Sequence, residues 1–374
     1  MTRVVIAPDK FKGSLTAVEV AEAIALGVRD VLPDAEVAAC PVADGGEGTL
    51  EVLENAGGTM VRLPVLGPLE EQVEARYVLL EGAAYIESAR ACGIEFVTPG
   101  PEVALAAHTW GVGELLADAL SRGAQRLVLT VGGTASTDGG AGMLAALGAG
   151  VVDPFGSPVG LGGGSLARVA RVELDPARER LGTVPVAVAT DVTNPLLGEN
   201  GAAAVFGPQK GAGPDDVTTL DAALARWAEV LVNAGTRDVS DVPGAGAGGG
   251  IAAGAIAGLG ASVESGFDLI ASLTGVDSAL AGADLVITGE GALDEQSLSG
   301  KAPAGIAARA SRAEAPLLVL AGQIRLDAAA LAGLGVVGSS ALIDHAPSVD
   351  YARTHAAALL RTQAGALVRE WAGR

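Results

Sequence analysis

The first stretch of the sequence that could carry chemistry is a short loop with two lysines. Residues 4–7 are predicted to form a buried strand that ends at Pro8, because proline has no N–H for a ladder. A helix is predicted from about Ser14, whose hydroxyl can cap an N–H of the first turn. Lys10 and Lys12 then lie at a helix N-terminus, where partial positive charge collects. This combination predicts an anion site, with phosphate as the best candidate. An ordinary surface loop with solvated lysines is the alternative.

Two aspartates follow predicted strands in loops that contain glycine or asparagine. Asp44 stands directly before Gly45 and Gly46. Asp191 stands three residues before Asn194. A carboxylate at such a strand end can take a proton from an attacking hydroxyl or hold Mg²⁺. The alternative is an aspartate that caps a helix or closes a turn, which is the usual role of this residue in loops.

The loop at residues 132–142 has the composition of an oxyanion cradle. Its glycines permit positive φ and close approach of backbone N–H groups, and Thr134, Ser136 and Thr137 add hydroxyl donors. An ordinary strand-to-helix turn is the alternative. The loop does not match the dinucleotide fingerprint, and no Gly-Lys-Ser/Thr of the Walker type follows a strand.

A further acidic loop is predicted after a strand over residues 285–288. Glu290 and Asp294 could organise Mg²⁺ there, and Lys301 at the next helix start could face a phosphate. The Gly300-Lys301 pair resembles a P-loop only superficially, because Ala302 replaces the Ser or Thr. Together, these loops hold the groups that phosphoryl transfer uses, namely cations, N–H donors and carboxylates. No Ser/His/Asp or Cys/His arrangement competes with this interpretation.

Composition narrows the class of protein. The chain has 374 residues and a formal net charge of −20, and it has no basic stripe of the kind that binds nucleic acid or an anionic membrane. Its two cysteines form neither a disulfide framework nor a zinc spacing, which fits a reducing cytoplasm. Apolar runs are interrupted before they reach membrane-spanning length. Pro8-Asp9-Lys10 cuts short the apolar start that a signal peptide needs.

The predicted elements indicate an α/β fold with two domains. Strands alternate with helices up to residue 60 and again after about 265, which is the rhythm of a doubly wound parallel sheet. Strands over 60–64, 72–80 and 83–87 have no helix between them and are expected to be antiparallel. We therefore predict that 1–65 and 265–374 form one discontinuous domain and that 66–264 form an inserted mixed-sheet domain, with the active site in the cleft between them. The glycine-rich run at 244–250 is either a flexible linker or a close-packed helix start or hinge.

Six motifs resemble those of the bacterial glycerate kinase type-1 family. They are residues 8–15 (PDKFKGSL), 43–49 (ADGGEGT), 132–144, 191–196 (DVTNPL), 205–212 (VFGPQKGA) and 288–291 (TGEG). The resemblance covers essentially the whole chain. It implies an ATP-dependent kinase that acts on D-glycerate, commonly giving 2-phosphoglycerate. It also implies two α/β domains, one of them flavodoxin-like and discontinuous.

Site roles are predicted from these residues and this resemblance together. Asp191 is expected to deprotonate the glycerate hydroxyl, and Lys12 to offset charge on the transferring phosphoryl group. Lys12 is preferred over Lys10 for this role, because the family often has Ser where Lys10 stands. Glu290 and Asp294 are the predicted Mg²⁺ ligands. The predicted substrate- or phosphate-binding residues are Lys10, Ser14, Asp44, Gly45, Gly46, Gly133, Thr134, Ser136, Asp138, Gly139, Asn194, Lys210 and Lys301.

Departures from the family pattern and three alternatives stay open at this point. Thr134, Ser136 and Thr137 stand where the pattern usually has Ser, Thr and Asn, so the first two keep a hydroxyl, whereas the loss of the amide leaves the role of position 137 open. A kinase that forms 3-phosphoglycerate and a small-anion binding protein without catalysis fit the same loops. A nicotinamide dehydrogenase is disfavoured by the missing fingerprint. The expected partners are D-glycerate and ATP, with no nucleic acid and no membrane, for a cytoplasmic monomer or homodimer.

Overall fold

The computed structural model describes residues 1–298 and 302–373, so the predicted site residue Lys301 lies outside the described residues. The chain divides into two compact units. The first unit comprises Met1–Asp44, Glu51–Ala56 and Gly266–Arg374, and the second comprises Gly45–Leu50 and Gly57–Ser265. The predicted limits of a discontinuous domain, 1–65 with 265–374, and of an inserted domain, 66–264, stay a prediction.

The elements confirm an α/β fold that has both a parallel and a mixed sheet. Within the described residues the strands are β1 Arg3–Ile6, β2 Glu36–Ala39, β3 Thr59–Leu66, β4 Gln72–Leu80, β5 Ala83–Glu87, β6 Arg126–Thr130, β7 Gly150–Val152, β8 Arg171–Glu173, β9 Val186–Ala189, β10 Ser262–Glu264, β11 Leu285–Leu293, β12 Leu317–Ile324 and β13 Val336–Ala341.

Helices occupy most of the connections between these strands. Over the same residues they are α1 Ala17–Arg29, α2 Thr49–Asn55, α3 Ala89–Cys92, α4 Pro101–Ala106, α5 Trp110–Ser121, α6 Ala141–Ala146, α7 Asp175–Leu181, α8 Ala202–Phe206, α9 Pro214–Asn233, α10 Ile251–Leu259, α11 Gly266–Leu273, α12 Val276–Leu280, α13 Ala302–Arg312, α14 Ala328–Gly333, α15 Val349–Thr354 and α16 Ala356–Ala372. Short 3-10 turns include Pro208–Lys210 and Glu295–Leu298.

The first unit is built on a parallel sheet with the strand order β2-β1-β11-β12-β13. Successive side chains of a strand point to opposite faces of the sheet, and both faces are buried at β1. Val4 and Ile6 join a core formed with α1 and α16. Val5 joins a second core on the other face, formed with α11, α12 and α13. The continuous apolar run in β1 is therefore explained by burial on both sides.

The second unit is built on a mixed sheet with the order β10-β9-β6-β5-β4-β3. The pairs β3–β4 and β4–β5 are antiparallel, which confirms that prediction, whereas β5, β6, β9 and β10 run parallel. A single aliphatic core includes the fully buried Trp227 of α9. Because β5, β6 and β9 are parallel, the loops after Glu87, Thr130 and Ala189 leave the sheet at the same end, where the carboxyl ends of these strands lie.

The structure corrects three predicted boundaries. Helix α1 begins at Ala17 with Thr16 as its N-cap, and Glu19 completes a capping box, so the prediction of Ser14 as the N-cap is wrong. Strand β11 continues to Leu293, because its residues pair with β12 well beyond 288. Strand β3 extends from Thr59 to Leu66, beyond the predicted 60–64, because all of it pairs with β4.

Residues 244–250 are ordered and largely buried, which rules out a flexible linker. Gly248, Gly249 and Gly250 all have positive φ, a conformation that other residues rarely adopt. Helix α10 follows directly, so the alternative of a close-packed helix start is the one observed. Among the helices of the described residues, none has the length and apolar content needed to cross a bilayer.

Candidate active site

The lysine loop of the first unit is a compact turn between β1 and α1. The Phe11 N–H donates to the Leu15 carbonyl at 2.8 Å, which folds the loop back on itself. Lys12 is exposed, whereas Lys10 is half-buried and lies 3.7 Å from the Asp9 carboxylate. The Ser14 hydroxyl donates to the Arg353 carbonyl at 2.6 Å, so the helix α1 does not use it. Lys12 is therefore the lysine of this loop that is open to solvent.

Asp9 is a candidate site residue that the sequence analysis did not select. Its side chain is buried at the end of β1, and its Oδ1 accepts from the Lys10 N–H at 2.6 Å. Burial raises the pKa of this carboxyl to about 6; Lys10 opposes that shift, and the charge of Asp44 adds to it. An acidic residue directly after an apolar strand and before a lysine was the available signal. Asp9 can exchange a proton near neutral pH.

The end of β11 lies against the lysine loop in the same unit. A side chain on Gly291 would bring its Cβ to 3.2 Å from the Lys12 backbone nitrogen, which shows how closely the strand approaches. Glu290 lies in β11 itself, opposite Ala321, and not in the loop we predicted. Asp294 follows the strand, and its N–H donates to the Ser297 hydroxyl at 3.1 Å. The first unit thus brings Lys10, Lys12 and Glu290 to neighbouring segments.

The two predicted metal ligands carry donor atoms that suit Mg²⁺. Glu290 and Asp294 offer carboxylate oxygens, which Mg²⁺ prefers, and both are half-buried. In the described part of the chain no group of three or more His, Cys, Asp or Glu side chains is arranged to hold an ion. Mg²⁺ in phosphoryl transfer is commonly held by one or two carboxylates together with substrate phosphates. The donor set therefore fits a shared site and not a closed protein cage.

The glycine loop of the second unit, residues 132–142, is hydrogen-bonded to the segment around α3. The Ile94 N–H donates to the Gly133 carbonyl at 2.9 Å, and the Ala135 N–H donates to the Cys92 carbonyl at 2.8 Å. Gly133 is exposed and has a φ of 73°, whereas Thr134 and Ser136 are buried. The start of the loop is thus accessible, and its middle is anchored in the core.

Asp138 and Gly139 shape this loop from inside. The buried Asp138 carboxylate accepts from the Thr109 hydroxyl at 2.8 Å and from the Gly140 and Gly142 N–H groups at 3.1 Å. The Gly139 carbonyl accepts from the Trp227 indole N–H at 3.0 Å, and a side chain on Gly139 would overlap that indole. The contacts of both residues therefore hold the loop in its conformation, and the Asp138 side chain does not reach solvent.

Lys210 is buried beneath the same loop. Its ammonium donates to the Ser136 carbonyl and lies 3.4 Å from the Thr137 hydroxyl. The side chain is 2% exposed. Burial lowers the pKa of Lys210 to about 8, against a smaller opposing effect of Cys92 and Asp138. Lys210 was predicted to bind substrate or phosphate. In the structure its ammonium lies behind the glycine loop, where it contacts the Ser136 carbonyl.

Asp191 and Asn194 follow β9 at the edge where the glycine loop follows β6. The Gly246 N–H donates to the Asn194 carbonyl at 3.0 Å. A side chain on Gly249, three residues further on, would overlap the Ser136 carbonyl oxygen. The run at 244–250 is therefore packed against both loops, and its glycines permit the close approach. Asp191 is half-buried.

An ion pair between the buried Glu87 and the half-buried Arg90 lies at the same end of this sheet. A side chain on Gly132 would come to 3.7 Å from the Gly46 Cα, which places the Gly45-Gly46 turn beside the glycine loop. The buried Glu87 accepts from the Leu50 N–H at 3.0 Å and from Arg90 Nε at 2.7 Å. Glu87 and Arg90 were not predicted as site residues, because they lie in no glycine-rich loop. Asp44 is the last residue of the first unit before this turn.

The predicted residues thus form two sets, each at the carboxyl ends of parallel strands within its unit. The set in the first unit offers Lys10, Lys12 and Glu290, together with the unpredicted Asp9, and these are groups that can contact a phosphate or share a cation. The set in the second unit offers N–H donors, hydroxyls and the Asp191 carboxylate. These are the functional groups of phosphoryl transfer to an alcohol.

Comparisons with known proteins agree with this chemistry. The model of the Glycerate kinase family matches residues 4–372. A protein of Escherichia coli K12 named Glycerate 2-kinase is 43% identical over 328 residues, which cover 87% of this chain and 86% of that protein. A Glycerate kinase of Halalkalibacterium halodurans is 40% identical over 376 residues, 99% of each chain.

A solved structure gives the same result at the level of the fold. It is described as "putative glycerate kinase 2" from Salmonella typhimurium LT2, and it superposes with a TM-score of 0.87 at 39% identity. The match covers 100% of this chain and 98% of that one. The resemblance noted in the sequence motifs is confirmed, and the chain belongs to the glycerate kinase family.

Proposed function

We propose that this protein is an ATP-dependent kinase that phosphorylates the 2-hydroxyl of D-glycerate and gives 2-phosphoglycerate and ADP. The observation that carries the proposal is the 43% identity to a protein named Glycerate 2-kinase over most of both chains. The loops support it, because they supply carboxylates, lysines and N–H donors without a dinucleotide fingerprint. Formation of 3-phosphoglycerate and anion binding without turnover are the alternatives.

The proposed step transfers a phosphoryl group in line. The substrate hydroxyl oxygen forms a bond to the γ-phosphorus, and the bond from that phosphorus to the β–γ bridging oxygen breaks, which leaves ADP with the electron pair. Asp191 receives the hydroxyl proton. Lys12 stabilises negative charge on the transferring group. Gly133, at the accessible start of the glycine loop, and the buried Thr134 next to it bind a phosphate or the substrate carboxylate.

Mg²⁺ is the proposed partner of the nucleotide phosphates. When bound, it would neutralise charge on the phosphoryl oxygens. Glu290 and Asp294 would hold it, and Asp44 is a third candidate. Lys10, Ser14, Asn194 and the Gly45-Gly46 turn are proposed to position the ligands, whereas Asp138, Gly139 and Ser136 act through the shape of the glycine loop.

We also infer that the first unit is a flavodoxin-like domain. Support comes from the order β2-β1-β11-β12-β13, which corresponds to the order 2-1-3-4-5 of flavodoxin-like sheets. The second unit is proposed to be the inserted domain. A cytoplasmic location is proposed because Cys40 and Cys92 are both free and buried thiols. We propose a monomer or a homodimer.

The test is a coupled assay of ADP release with ATP, Mg²⁺ and D-glycerate. Turnover that depends on glycerate supports the kinase and eliminates the anion-binding alternative. ³¹P NMR of the product then separates the two regiochemistries. A phosphate on the 2-oxygen couples to one methine proton and gives a doublet, whereas one on the 3-oxygen couples to two methylene protons and gives a triplet. A triplet would replace our proposal by the 3-phosphoglycerate alternative.

A further inference from the structure

The buried ammonium of Lys210 is an unusual feature of the second unit. It contacts a backbone carbonyl and a hydroxyl, and no ion pair to it exists among the residues that the structure describes. A buried cation without a carboxylate in contact is costly and is usually retained for a reason. The ammonium lies directly behind the loop to which the proposed function assigns an anion.

The charged groups that face Lys210 are few. Asp138 of the glycine loop favours the ammonium form electrostatically, but its carboxylate is occupied by Thr109, Gly140 and Gly142. Cys92 of α3 has a pKa raised to about 12 by burial, so it is a neutral thiol near pH 8. The run at 244–250, which packs on the other side, contains only glycine and alanine.

The accessible start of the glycine loop lies close to this ammonium. Gly133 and Thr134 precede Ser136 by three residues or fewer, and consecutive Cα atoms are 3.8 Å apart. An anionic group bound at Gly133 therefore lies in the same short loop segment whose Ser136 carbonyl the ammonium contacts. Charges near a buried group such as this ammonium are screened less than charges in water.

We propose that Lys210 is a positioning residue that couples anion binding at the glycine loop to its own protonation. In the free protein the lysine exchanges its proton with solvent near pH 8. When a carboxylate or phosphate oxygen binds at Gly133 and Thr134, its charge favours the ammonium, and Lys210 takes up a proton. The ammonium in turn holds the Ser136 carbonyl and the anchored half of the loop in place. This inference rests on the proposed function, because it assumes that the loop binds an anionic ligand.

Reciprocity gives the coupling a measurable sign. If ligand binding favours the protonated lysine, then protonation must favour ligand binding by the same factor. Affinity for the ligand therefore falls as pH rises through about 8. A shift of one pKa unit on binding corresponds to a tenfold difference in affinity between the two protonation states and to uptake of about 0.4 proton at pH 8.

The experiment measures proton uptake by isothermal titration calorimetry of the full-length protein. D-Glycerate alone and MgADP alone are titrated at pH 8 in HEPES and in Tris, two buffers with different ionisation enthalpies. Both ligands are fully ionised at this pH, so uptake reports on protein groups. We expect about 0.4 proton per ligand for one of the two, which also tells whether a carboxylate or a phosphate occupies the loop.

Two variants of the same residue assign the proton. Lys210→Met removes the ammonium at similar length, and we expect it to abolish uptake and to weaken the coupled ligand about tenfold at pH 7. Lys210→Arg keeps a charge that does not titrate near pH 8, so we expect no uptake and affinity that no longer falls with pH. Arg122→Met, which removes an exposed arginine paired with Asp118, is the matched control and should leave the uptake unchanged.

Each outcome discriminates between the two proposals. Uptake that persists in Lys210→Met, or wild-type binding without uptake, would overturn the coupling and leave the kinase proposal standing. A wild-type protein that binds neither ligand would overturn both. If Lys210→Met were misfolded, the wild type alone still decides, since its uptake must be small at pH 7, reach a maximum between about pH 8 and pH 9, and fall again at higher pH.

Discussion

Individual titratable residues at the strand ends have proton affinities that burial moves towards neutral pH. Asp9 has a pKa raised to about 6, and Lys210 has a pKa lowered to about 8. Both shifts arise mainly from desolvation, which disfavours the charged form of either group. In the folded protein these residues therefore change protonation within two pH units of neutrality. Their effects on stability can be separated from their effects on activity.

We predict that Asp9→Asn stabilises the protein at neutral pH. A carboxyl whose folded pKa is above its unfolded value of 3.8 binds protons more tightly in the folded state, so its contribution to stability falls as pH rises from about 4 through 6. The variant lacks this penalty and should gain at most about 3 kcal/mol in the free energy of unfolding at pH 7.5. Urea denaturation at pH 7.5 and pH 4 measures the difference. A gain that is equal at both pH values would contradict the assigned pKa, and the exposed Asp34→Asn serves as control.

Lys12 and Asp191 are predicted to support the chemical step. Asp191→Asn removes the proposed proton acceptor and should lower kcat by about 10²- to 10⁴-fold. Lys12→Ala removes a charge next to the transferring group and should lower kcat by about 10²- to 10³-fold. Steady-state kinetics with D-glycerate and ATP measure both. Asp241→Asn and Arg29→Ala, both exposed positions, should remain within about twofold of wild type. Near-normal kcat in either site variant, with the fold intact, would eliminate that assignment.

At the scale of elements, close contacts of backbone position the loops of the second unit. The run at 244–250 joins the loop after β9 to the loop after β6 through contacts that leave no room for a Cβ. Helix α9 adds the Trp227 hydrogen bond to Gly139. Such packing transmits the loss of a single contact to the whole loop, because the interior has few voids to absorb a shift.

We predict that Gly249→Ala is severely destabilising, whereas Gly260→Ala is mild. Both glycines have positive φ, at 69° and 71°, so backbone strain of about 1 kcal/mol is common to them. Only at Gly249 would the Cβ also overlap the Ser136 carbonyl, and nothing lies within 4 Å at Gly260. We expect about 2–4 kcal/mol of additional loss at Gly249. Chemical denaturation compares the variants, and equal losses would show that the contact is absent in solution.

The N-terminus of α1 offers a second test at this scale. Thr16→Ala removes the side-chain acceptor of the capping box and should cost about 1 kcal/mol. Ser14→Ala removes only the hydroxyl bond to the Arg353 carbonyl, so the cap of the helix stays intact. The shift of the denaturation midpoint in urea distinguishes them. A larger loss for Ser14→Ala than for Thr16→Ala would restore Ser14 as the cap.

For the molecule as a whole, the dominant electrostatic property is its charge. The formal net charge of −20 is spread over many exposed carboxylates, and self-repulsion of this kind disfavours the compact state. The charge is also unfavourable for anionic ligands at long range. Binding of glycerate or nucleotide therefore depends on the local lysines and backbone donors described above.

We predict that KCl stabilises the protein at pH 7.5. The Debye length falls from about 30 Å at 0.01 M salt to about 8 Å at 0.15 M, so repulsion between distant carboxylates is screened over this range, whereas the few contact ion pairs lose little. The midpoint of thermal unfolding, followed by circular dichroism, should rise by a few degrees, mostly below 0.2 M. A fall in the midpoint would mean that attractive pairs outweigh the repulsion.

Much of the architecture was predictable, because local patterns of apolar and turn-forming residues indicate it. Apolar runs closed by Pro8 or by glycine identified β1 and β11, and the absence of a helix between β3, β4 and β5 predicted antiparallel pairing. Boundaries were less accurate where a neighbour decides them. Thr16 and Ser14 are both acceptable caps in sequence, and only the structure selects Thr16, whose hydroxyl accepts from the Glu19 N–H and whose N–H donates to the Glu19 carboxylate. Glu290 was placed in a loop because its pairing with β12 cannot be deduced from the strand alone.

The sequence by itself determined the family, the α/β class and the loops that hold the functional groups, since each of these depends on residues adjacent in the chain. Only the tertiary structure decided which groups are buried and what they contact. Lys210 meets Ser136 across 74 positions, and Trp227 meets Gly139 across 88. Desolvation depends on such distant neighbours. For that reason the burial of Asp9 and Lys210, and the pKa shifts that follow from it, could be recognised only in the folded chain.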